Sequence, residues 1–283
     1  MAISRAQMLK ELLPGLNALF GLEYEKYDDE HTMIYETENS DRSFEEEVQL
    51  SGFGQAVVKD EGSAITYDSA QESFTARYNH ETIALGFAIT EEAIEDNLYD
   101  SLSARYTKAL ARAMAYTKQV KAAYPLNNGF TNSFQSGDGV NLFTASGDGV
   151  TGGDGHPLVD GGKNSNRPAT AADLNETSLE DAVINIGNFK DQRGLKIAAR
   201  PKRLIVPSAL QFTATRLLES QFRVSTSDND INAISSNGAI PEGYMINHYL
   251  TDTNAFFIIT DVPNGMKHFN RTGMETSMDG DFD

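Results

Sequence analysis

The sequence predicts an α+β fold in which a long β-hairpin leads into one very long helix and a mixed sheet follows. Three observations support this class. Residues 44–89 alternate in two runs around a turn, residues 84–128 have helical periodicity, and residues 202–262 hold short apolar runs that flank a helix. A period of two is typical of strands, and apolar side chains that recur every three to four residues are typical of helices. Both kinds of element are therefore present.

The composition is that of a globular protein. The chain has 283 residues, of which 40% are hydrophobic, so it can hold one large domain or two modest ones. It contains no cysteine, which excludes disulfides and thiolate metal sites. No window offers the roughly 20 apolar residues of a membrane-spanning helix, and the N-terminus lacks a signal-peptide cleavage pattern. We therefore expect no membrane partner.

The charge is strongly negative. The net charge is −18, and the acid is uneven, since residues 196–223 hold six basic residues and one acidic residue, Glu219. Gripping nucleic acid requires cations that neutralise phosphates, so an acidic chain is a poor candidate for that role. It could still enclose nucleic acid without gripping it, or the charge could serve only solubility.

The first 43 residues predict a helix and an arm. Residues 4–20 read as a short amphipathic helix, which we expect to be kinked or divided at Pro14-Gly15 because proline removes a backbone donor. Residues 21–43 are acidic and lack a regular apolar pattern, so they predict a weakly structured arm.

A long hairpin is predicted next. Residues 44–59 and 65–89 alternate as strands do, and Asp60-Glu61-Gly62-Ser63 between them has turn composition. Gly52 and Gly54 should loosen the first strand. A two-stranded ribbon alone is barely stable in water. We therefore expect this one to lie on the rest of its subunit or on a neighbour.

The long helix has the strongest pattern in the chain. Thr90 is a plausible N-cap and Pro125 a stop, because proline cannot supply the next helical N–H. About 34 helical residues would span about 50 Å, which suggests a spine crossing an extended subunit. Its predicted apolar stripe consists of Ile94, Leu98, Leu102, Tyr106, Leu110 and Met114.

Residues 127–168 are rich in Gly, Asn, Asp and Ser, and Ser-Gly-Asp-Gly-Val occurs at 136–140 and again at 146–150. This composition favours a mobile surface loop over a calcium site, because the EF-hand and nonapeptide registers are missing. Thr177-Ser178 then caps a helix that ends at Gly194, with Asp181 in a capping-box-like role. The remaining predicted elements are strand Lys202–Val206, helix 209–220 and strands 244–250 and 255–262.

Catalytic and ligand motifs are missing from the sequence. Residues 161–164 fail the phosphate-loop spacing, and Gly52-Phe53-Gly54 opens no helix, so it is no dinucleotide fingerprint. Runs of carboxylates such as 45–47 are typical of a solvated face. The histidines show no spacing of three or four residues, although they could meet in space; they are His31, His80, His156, His248 and His268. We therefore predict no catalytic, cofactor-binding or metal-binding residues, no cofactor and no enzymatic activity.

Three segments carry a family resemblance. These are SNRPATAADLNETSLEDAV at 165–183, which His156-Pro157-Leu158 precedes, DQRGLKIAARPKRLIVPSAL at 191–210, and AFFIITDVPNGMKHFNR at 255–271. Together with the order of arm, hairpin, spine helix and mixed sheet, they resemble the major capsid protein of tailed bacteriophages. The fold implied is the Hong Kong 97-type capsid fold, and the three segments are similar to those of the Mu-like major head protein family and related phage major capsid proteins.

The resemblance implies a division of the chain. Residues 1–43 would be an N-terminal arm, 44–84 an extended hairpin loop, 85–125 with 255–283 a peripheral domain, and 126–254 a mixed-sheet axial domain. Such proteins usually continue with another peripheral strand beyond the point where this sequence stops, so a truncated, processed or longer C-terminus all stay open. The glycine-rich loop could also be an insertion.

The implied function is that of a structural head protein that self-assembles, as hexamers and pentamers, into an icosahedral shell. The shell would enclose double-stranded DNA without binding it specifically, with portal, scaffold and decoration proteins as further partners. It would be found in the virion after assembly in the host bacterial cytoplasm. For the subunit contact we nominate apolar hairpin residues, of which we expect about half to pack within their own subunit: Phe53, Val57, Val58, Ile65, Tyr67 and Phe74.

Two other functions stay open at this point. An encapsulin-like compartment shell shares the implied fold but encloses an enzyme, and a hydrolase could use an unfamiliar α+β scaffold. Lys59 at the hairpin tip would suit covalent crosslinking as in the fold's namesake, but most relatives lack that link and we do not expect it.

Overall fold

The computed structural model describes residues 5–89, 99–147, 154–223 and 230–277. Its helices are α1 (Arg5–Tyr24), α2 (Tyr99–Asn128), α3 (Glu176–Gly187), α4 (Gln211–Glu219) and α5 (Ala233–Asn237), with 3-10 turns at Glu30–Met33 and Ser208–Leu210. Its strands are β1 (Glu36–Asn39), β2 (Phe44–Leu50), β3 (Glu72–Asn79), β4 (His156–Pro157), β5 (Lys163–Asn164), β6 (Pro201–Val206), β7 (Tyr244–Ile246), β8 (Phe257–Thr260) and β9 (Lys267–Asn270). Within these ranges, no helix combines the length and the apolar character that crossing a bilayer requires.

The chain forms two compact units. The first consists of residues 1–42, 80–122 and 267–283, and the second of residues 43–79 and 123–266. The chain thus leaves the first unit to build the hairpin, returns to it for most of the long helix, and returns again for β9.

The N-terminal part of the first unit is more ordered than predicted. Helix α1 runs through Pro14-Gly15 without a division, because a proline removes one hydrogen bond of the ladder and leaves the others in place. The expectation of a weakly structured arm is wrong for residues 30–39, where a 3-10 turn leads into β1. That strand pairs in parallel with β9, with Glu36 opposite Lys267 and Asn39 opposite Asn270. The pairing joins the two ends of the sequence.

Helix α2 is confirmed as a long helix, although Thr90, Ile94 and Leu98 lie outside the described residues. The predicted stop at Pro125 is wrong, because the helix continues to Asn128. Ala123 and Leu126 are buried on either side of the proline. Their packing offsets the loss of one backbone hydrogen bond.

The buried face of α2 differs from the predicted apolar stripe. Tyr106 is 45% exposed, and Leu110 and Met114 are half-buried. The side chain of Leu102 is not described. The buried positions follow the four-residue spacing one residue later and are mostly small or polar: Ser103, Thr107, Ala111, Ala115, Gln119 and Ala123. Small side chains let other elements approach the helix closely, so size rather than hydrophobicity marks its inner face.

The second unit is built around a three-stranded sheet with the order β7-β6-β8. The central strand β6 pairs in parallel with β7 and antiparallel with β8. This confirms the three predicted strands, with shorter bounds for β7 and β8, and helix 209–220 is confirmed as α4. Buried side chains from the sheet and the helices form one core: Leu174, Leu179, Leu204, Val206, Ala214, Ile234 and Ile240.

Helix α3 begins and ends elsewhere than predicted. Asn175 is the N-cap, and its side chain accepts from the Ser178 backbone N–H at 2.8 Å while the Ser178 hydroxyl accepts from the Asn175 N–H at 3.0 Å. This reciprocal pair leaves no capping role for Asp181. The helix ends at Gly187, and Gly194, with a φ of 76°, instead closes the turn that starts at Asp191.

The glycine-rich segment is partly buried. Asn141, Thr144 and Ala145 have at most 1% of their surface exposed, so the expectation of a surface loop is wrong for them. In the first copy of the repeat, Asp138 accepts from the His156 ring Nδ1 at 2.6 Å. Burial alone would raise the pKa of Asp138, but the hydrogen bonds from His156 and Ser136 outweigh it and hold the pKa below its usual value. In the second copy, residues 148–150 lie outside the described residues.

Candidate subunit-contact surface

The hairpin has a paired base and an unpaired tip. Strands β2 and β3 pair antiparallel, with Phe44 opposite Asn79 and Leu50 opposite Glu72. The last backbone bond of this ladder joins the Ser51 N–H to the Gln71 carbonyl at 2.8 Å. Residues 51–71, which we call the extended loop, carry no strand. The predicted hairpin is therefore confirmed with a shorter ladder, and its second strand ends at Asn79 rather than at Ile89.

Glycines shape both halves of the extended loop. Gly52 has a φ of 68°, which side chains with a Cβ rarely adopt, and this breaks the pleat of the first strand directly after the ladder. Gly62 has a φ of 84° in the turn, where the Ser63 N–H donates to the Asp60 carbonyl at 3.2 Å. The predicted turn at Asp60–Ser63 is confirmed.

A hydrogen-bonded cluster fixes the base of the extended loop to its own subunit. The Asp68 carboxylate accepts from the Gly54 N–H at 2.7 Å and from the Arg193 guanidinium at 2.8 and 2.9 Å. The Gly54 and Arg193 hydrogen bonds hold the pKa of Asp68 below its usual value. Ser73 also donates to Gln192 at 3.3 Å. No local pattern marks these partners, because Arg193 is far from Asp68 along the chain.

Strand β3 also packs against the first Gly-Asp-Gly turn. A Cβ built on Gly137 would lie 2.8 Å from the Ala76 Cβ and 3.2 Å from the Phe74 ring. Phe74 is half-buried here. Of the six nominated contact residues, Phe74 therefore packs within its own subunit.

Replacing Gly137 with alanine should lower the free energy of unfolding by about 1–3 kcal/mol, because the new methyl group overpacks the contact with β3. The measurement is urea unfolding of the Gly137→Ala variant, of Ala76→Gly, and of the double variant. Removing the Ala76 methyl group opens space for the new one, so the two changes should be less harmful together than their sum. Strictly additive losses would contradict this contact.

The other five nominated residues project from the loop. Their side chains are exposed by 62% for Phe53, 73% for Val57, 90% for Val58, 67% for Ile65 and 91% for Tyr67. An isolated exposed apolar residue is ordinary, but a run of them on one segment is typical of an interaction surface. The five thus lie exposed on the extended loop, and their contact role stays a prediction.

A second polar cluster, in the first unit, escaped the sequence patterns. Gln119 donates through Nε2 to His31 at 3.2 Å and to Asp29 at 3.0 Å, and the His31 and His268 rings meet edge to face at 5.0 Å. Burial and the charge of Lys118 lower the pKa of His31 to about 4. Burial likewise lowers the pKa of His268. These side chains come from the arm, α2 and β9, so only the folded chain brings them together.

Nothing in the described ranges resembles a metal centre, since no three His, Asp or Glu side chains there could share an ion. An open groove of about 610 Å³ lies beside α2 among the described residues. The described residues therefore present an exposed apolar loop and no group of metal ligands.

Comparison with known proteins gives the family. The model of a family described as phage capsid protein matches residues 73–283, which is well over half of the chain. No curated protein matches the chain. The subfamily is not resolved by this match, so the likeness to Mu-like head proteins stays a prediction.

Solved structures with a similar fold are shells of bacteriophage JBD30. Its procapsid protein is 15% identical with a TM-score of 0.57, over 88% of this chain and 100% of that one. The JBD30 capsid decorated with minor capsid protein trimers gives 15% identity and a TM-score of 0.57, over 80% of this chain and 92% of that one. A further JBD30 capsid gives 13% identity and a TM-score of 0.56, over 80% of this chain and 92% of that one. The α+β fold of this chain is therefore a capsid fold, and with the family match it follows that the chain belongs to the phage capsid protein family, as a structural capsid protein.

Proposed function

We propose that copies of this chain assemble into a closed icosahedral shell around the DNA of a tailed phage, and that the extended loop of each copy lies on a neighbouring copy. The observation that carries this proposal is the contrast within the hairpin. Its base is fixed by Asp68, Arg193 and the Gly137 contact, while Val58 near the turn and Tyr67 beside the base are at least 90% exposed. A loop that is held at its base and apolar at its tip is suited to reach a partner.

The energy available to such a contact is sufficient. Burying a few hundred Å² of apolar surface contributes several kcal/mol, at roughly 25 cal/mol per Å², before the costs of association. One loop per copy repeats that term around every ring of subunits. Closed symmetry then makes many modest contacts cooperative.

We further propose that the two compact units correspond to the peripheral and axial domains of the resemblance. The arm, most of α2 and β9 would form the peripheral part, and the sheet with its helices the axial part. The boundary near the C-terminus would fall after Met266 rather than before residue 255, because β8 pairs with β6 in the second unit.

The remaining partners follow from the same proposal. Portal and scaffold proteins would act during assembly in the host cytoplasm, and the shell would persist in the virion as a protein without enzymatic activity. Decoration proteins are a further proposed partner, since the similar JBD30 capsid is decorated with minor capsid protein trimers. The net charge of −18 suits a shell that encloses DNA without binding it specifically. The family match does not favour an encapsulin-like compartment or a hydrolase.

The test is the size of the purified protein. We expect size-exclusion chromatography and negative-stain microscopy to show hollow particles in the megadalton range. A species at one or two times the chain mass of 31.0 kDa would contradict the proposal. Particles that contain one co-purifying enzyme would instead support the encapsulin-like compartment.

A further inference from the structure

Three asparagines of this chain are followed directly by glycine. The pairs are Asn128-Gly129, Asn237-Gly238 and Asn264-Gly265. A glycine has no Cβ that would keep its backbone nitrogen away from the preceding side chain, so an Asn-Gly pair is open to attack of that nitrogen on the asparagine amide. The three pairs share this chemistry, and the fold decides which of them can react.

The first pair is held on both sides. The Asn128 side chain donates through Nδ2 to the Tyr124 carbonyl at 3.0 Å. Gly129 is buried, and a Cβ placed on it would lie 2.6 Å from the Pro125 carbonyl oxygen and 2.8 Å from the Phe143 ring. The backbone of Gly129 therefore has no room to move toward the Asn128 side chain.

The second pair is held by the end of α5. Asn237 is the last residue of that helix, and Gly238 caps it with a φ of 59°. The Gly238 N–H donates to the Ser235 carbonyl at 3.2 Å. A backbone nitrogen whose proton is engaged in this way can attack only after the helix end has opened.

The third pair lies open in the turn that leads from β8 to β9. Asn264 and Gly265 are exposed, and a Cβ built on Gly265 would meet no atom within 4 Å. Among the described residues, neither the Asn264 side chain nor the Gly265 N–H has a hydrogen-bond partner. Asn264 also has a φ of 58°, which is unfavourable for a residue with a Cβ. Asn264 can therefore rotate toward Gly265 at little cost, because no contact has to break.

We infer that Asn264-Gly265 is a self-modification site at which the asparagine loses its amide group. The Gly265 backbone nitrogen gives up its proton to hydroxide and forms a bond to the Asn264 Cγ. The bond between Cγ and Nδ2 then breaks, and the leaving nitrogen takes a proton from water to become ammonia, which regenerates the hydroxide. The product is a cyclic succinimide, and its formation needs neither an oxidant nor a cofactor.

Water then opens the succinimide in one of two ways. Cleavage of the new bond between Cγ and the Gly265 nitrogen leaves an ordinary aspartate at position 264. Cleavage of the original peptide bond leaves an isoaspartate, in which the backbone runs through the former side chain. Both products gain a carboxylate and hence a negative charge. The isoaspartate also lengthens the connection between β8 and β9, which lie in different compact units.

The test compares the three pairs in the folded and in the unfolded chain. Purified full-length protein is kept at pH 8.5 with and without urea, and mass spectrometry follows the loss of the amide in the peptides that span each pair. In urea all three pairs should react at similar rates, because they share the same dipeptide. In the folded chain Asn128 and Asn237 should react at least about tenfold more slowly than in urea, whereas Asn264 should stay within about threefold of its rate in urea, because only the first two wait for a local opening.

The matched control is Gly265→Ala. The turn has room for the added methyl group, so thermal unfolding should not change. The methyl group hinders the attacking nitrogen and should slow the loss of the Asn264 amide at least about tenfold. An unchanged rate in that variant would assign the loss to direct hydrolysis and overturn the cyclic step. Protection of Asn264 in the folded chain as strong as that of Asn128 and Asn237, or fast reaction of those two, would show that the fold does not select this site.

Discussion

Replacing Val57 and Val58 with aspartate should abolish particle formation while leaving the fold of the subunit intact. Both side chains are largely exposed in the isolated chain, so the substitutions remove no core packing. In the assembled shell they would place two carboxylates in an apolar contact. An unpaired buried charge costs about 3–5 kcal/mol, which exceeds the net energy of a single modest interface.

The experiment measures both the assembly and the folding of each variant. Size-exclusion chromatography and microscopy report the particles, and circular dichroism with thermal unfolding reports the fold. The matched control is Val57→Thr with Val58→Thr, which keeps the shape and adds no charge, and it should retain most particles. Normal particles from the aspartate variant would show that the extended loop does not hold the shell together. An unfolded aspartate variant would show that the loop tip serves its own subunit instead.

Local patterns in the sequence predicted the hairpin well. Alternation, turn composition and two glycines placed β2, β3, the turn at Asp60–Ser63 and the loosened first strand. The same patterns selected Val57, Val58 and Tyr67 as contact residues, because apolar side chains in a thin ribbon have little of their own subunit to cover them. Each of these features depends on neighbours in sequence. The agreement of the strands, the turn and the loosened strand with the structure is therefore expected, and the contact role of Val57, Val58 and Tyr67 stays a prediction.

Those local patterns could not predict contacts between residues that are far apart in the sequence. The arm is ordered because β1 pairs with β9 at the other end of the chain, and the loop base is fixed because Arg193 reaches Asp68. Neither partner has a spacing that marks it. The apolar stripe of α2 was misplaced for a related reason. Periodicity finds large apolar residues, whereas Ala111 and Ser103 are buried because they are small.

The predictions of the helix cap and of the helix stop were wrong for another reason. In both cases two local signals in the sequence compete. Thr177 and Ser178 have the composition of an N-cap, but Asn175 offers the better geometry, and Ser178 serves as its partner. Pro125 disfavours a helix, yet the buried neighbours Ala123 and Leu126 keep it helical. Packing decided both cases, and packing is not visible in a single sequence.

Acid should destabilise the first unit through His31. This side chain is 2% exposed, and its pKa is lowered to about 4 by burial and by the charge of Lys118, with His268 acting in the same direction against Asp29. An unfolded histidine titrates near pH 6.5. The unfolded chain therefore takes up the proton first, so stability is complete above about pH 6.5 and falls as the pH drops toward 4. A difference of about 2.5 pKa units corresponds to roughly 3 kcal/mol.

The loss of stability at low pH should begin where residues 29–31 contact Gln119 of α2. A protonated His31 can no longer accept through Nδ1 from Gln119, and its charge would face that of Lys118. The residues that it holds lead directly into β1, so the β1–β9 pair should open before the core of the second unit. Hydrogen exchange at pH 7.5 and pH 5 can locate this opening, and urea unfolding of the unassembled aspartate variant gives its free energy. His31→Gln keeps a neutral side chain at every pH, so it should flatten the dependence between pH 6.5 and 4.5. An equally steep dependence in that variant would assign the acid sensitivity to other groups.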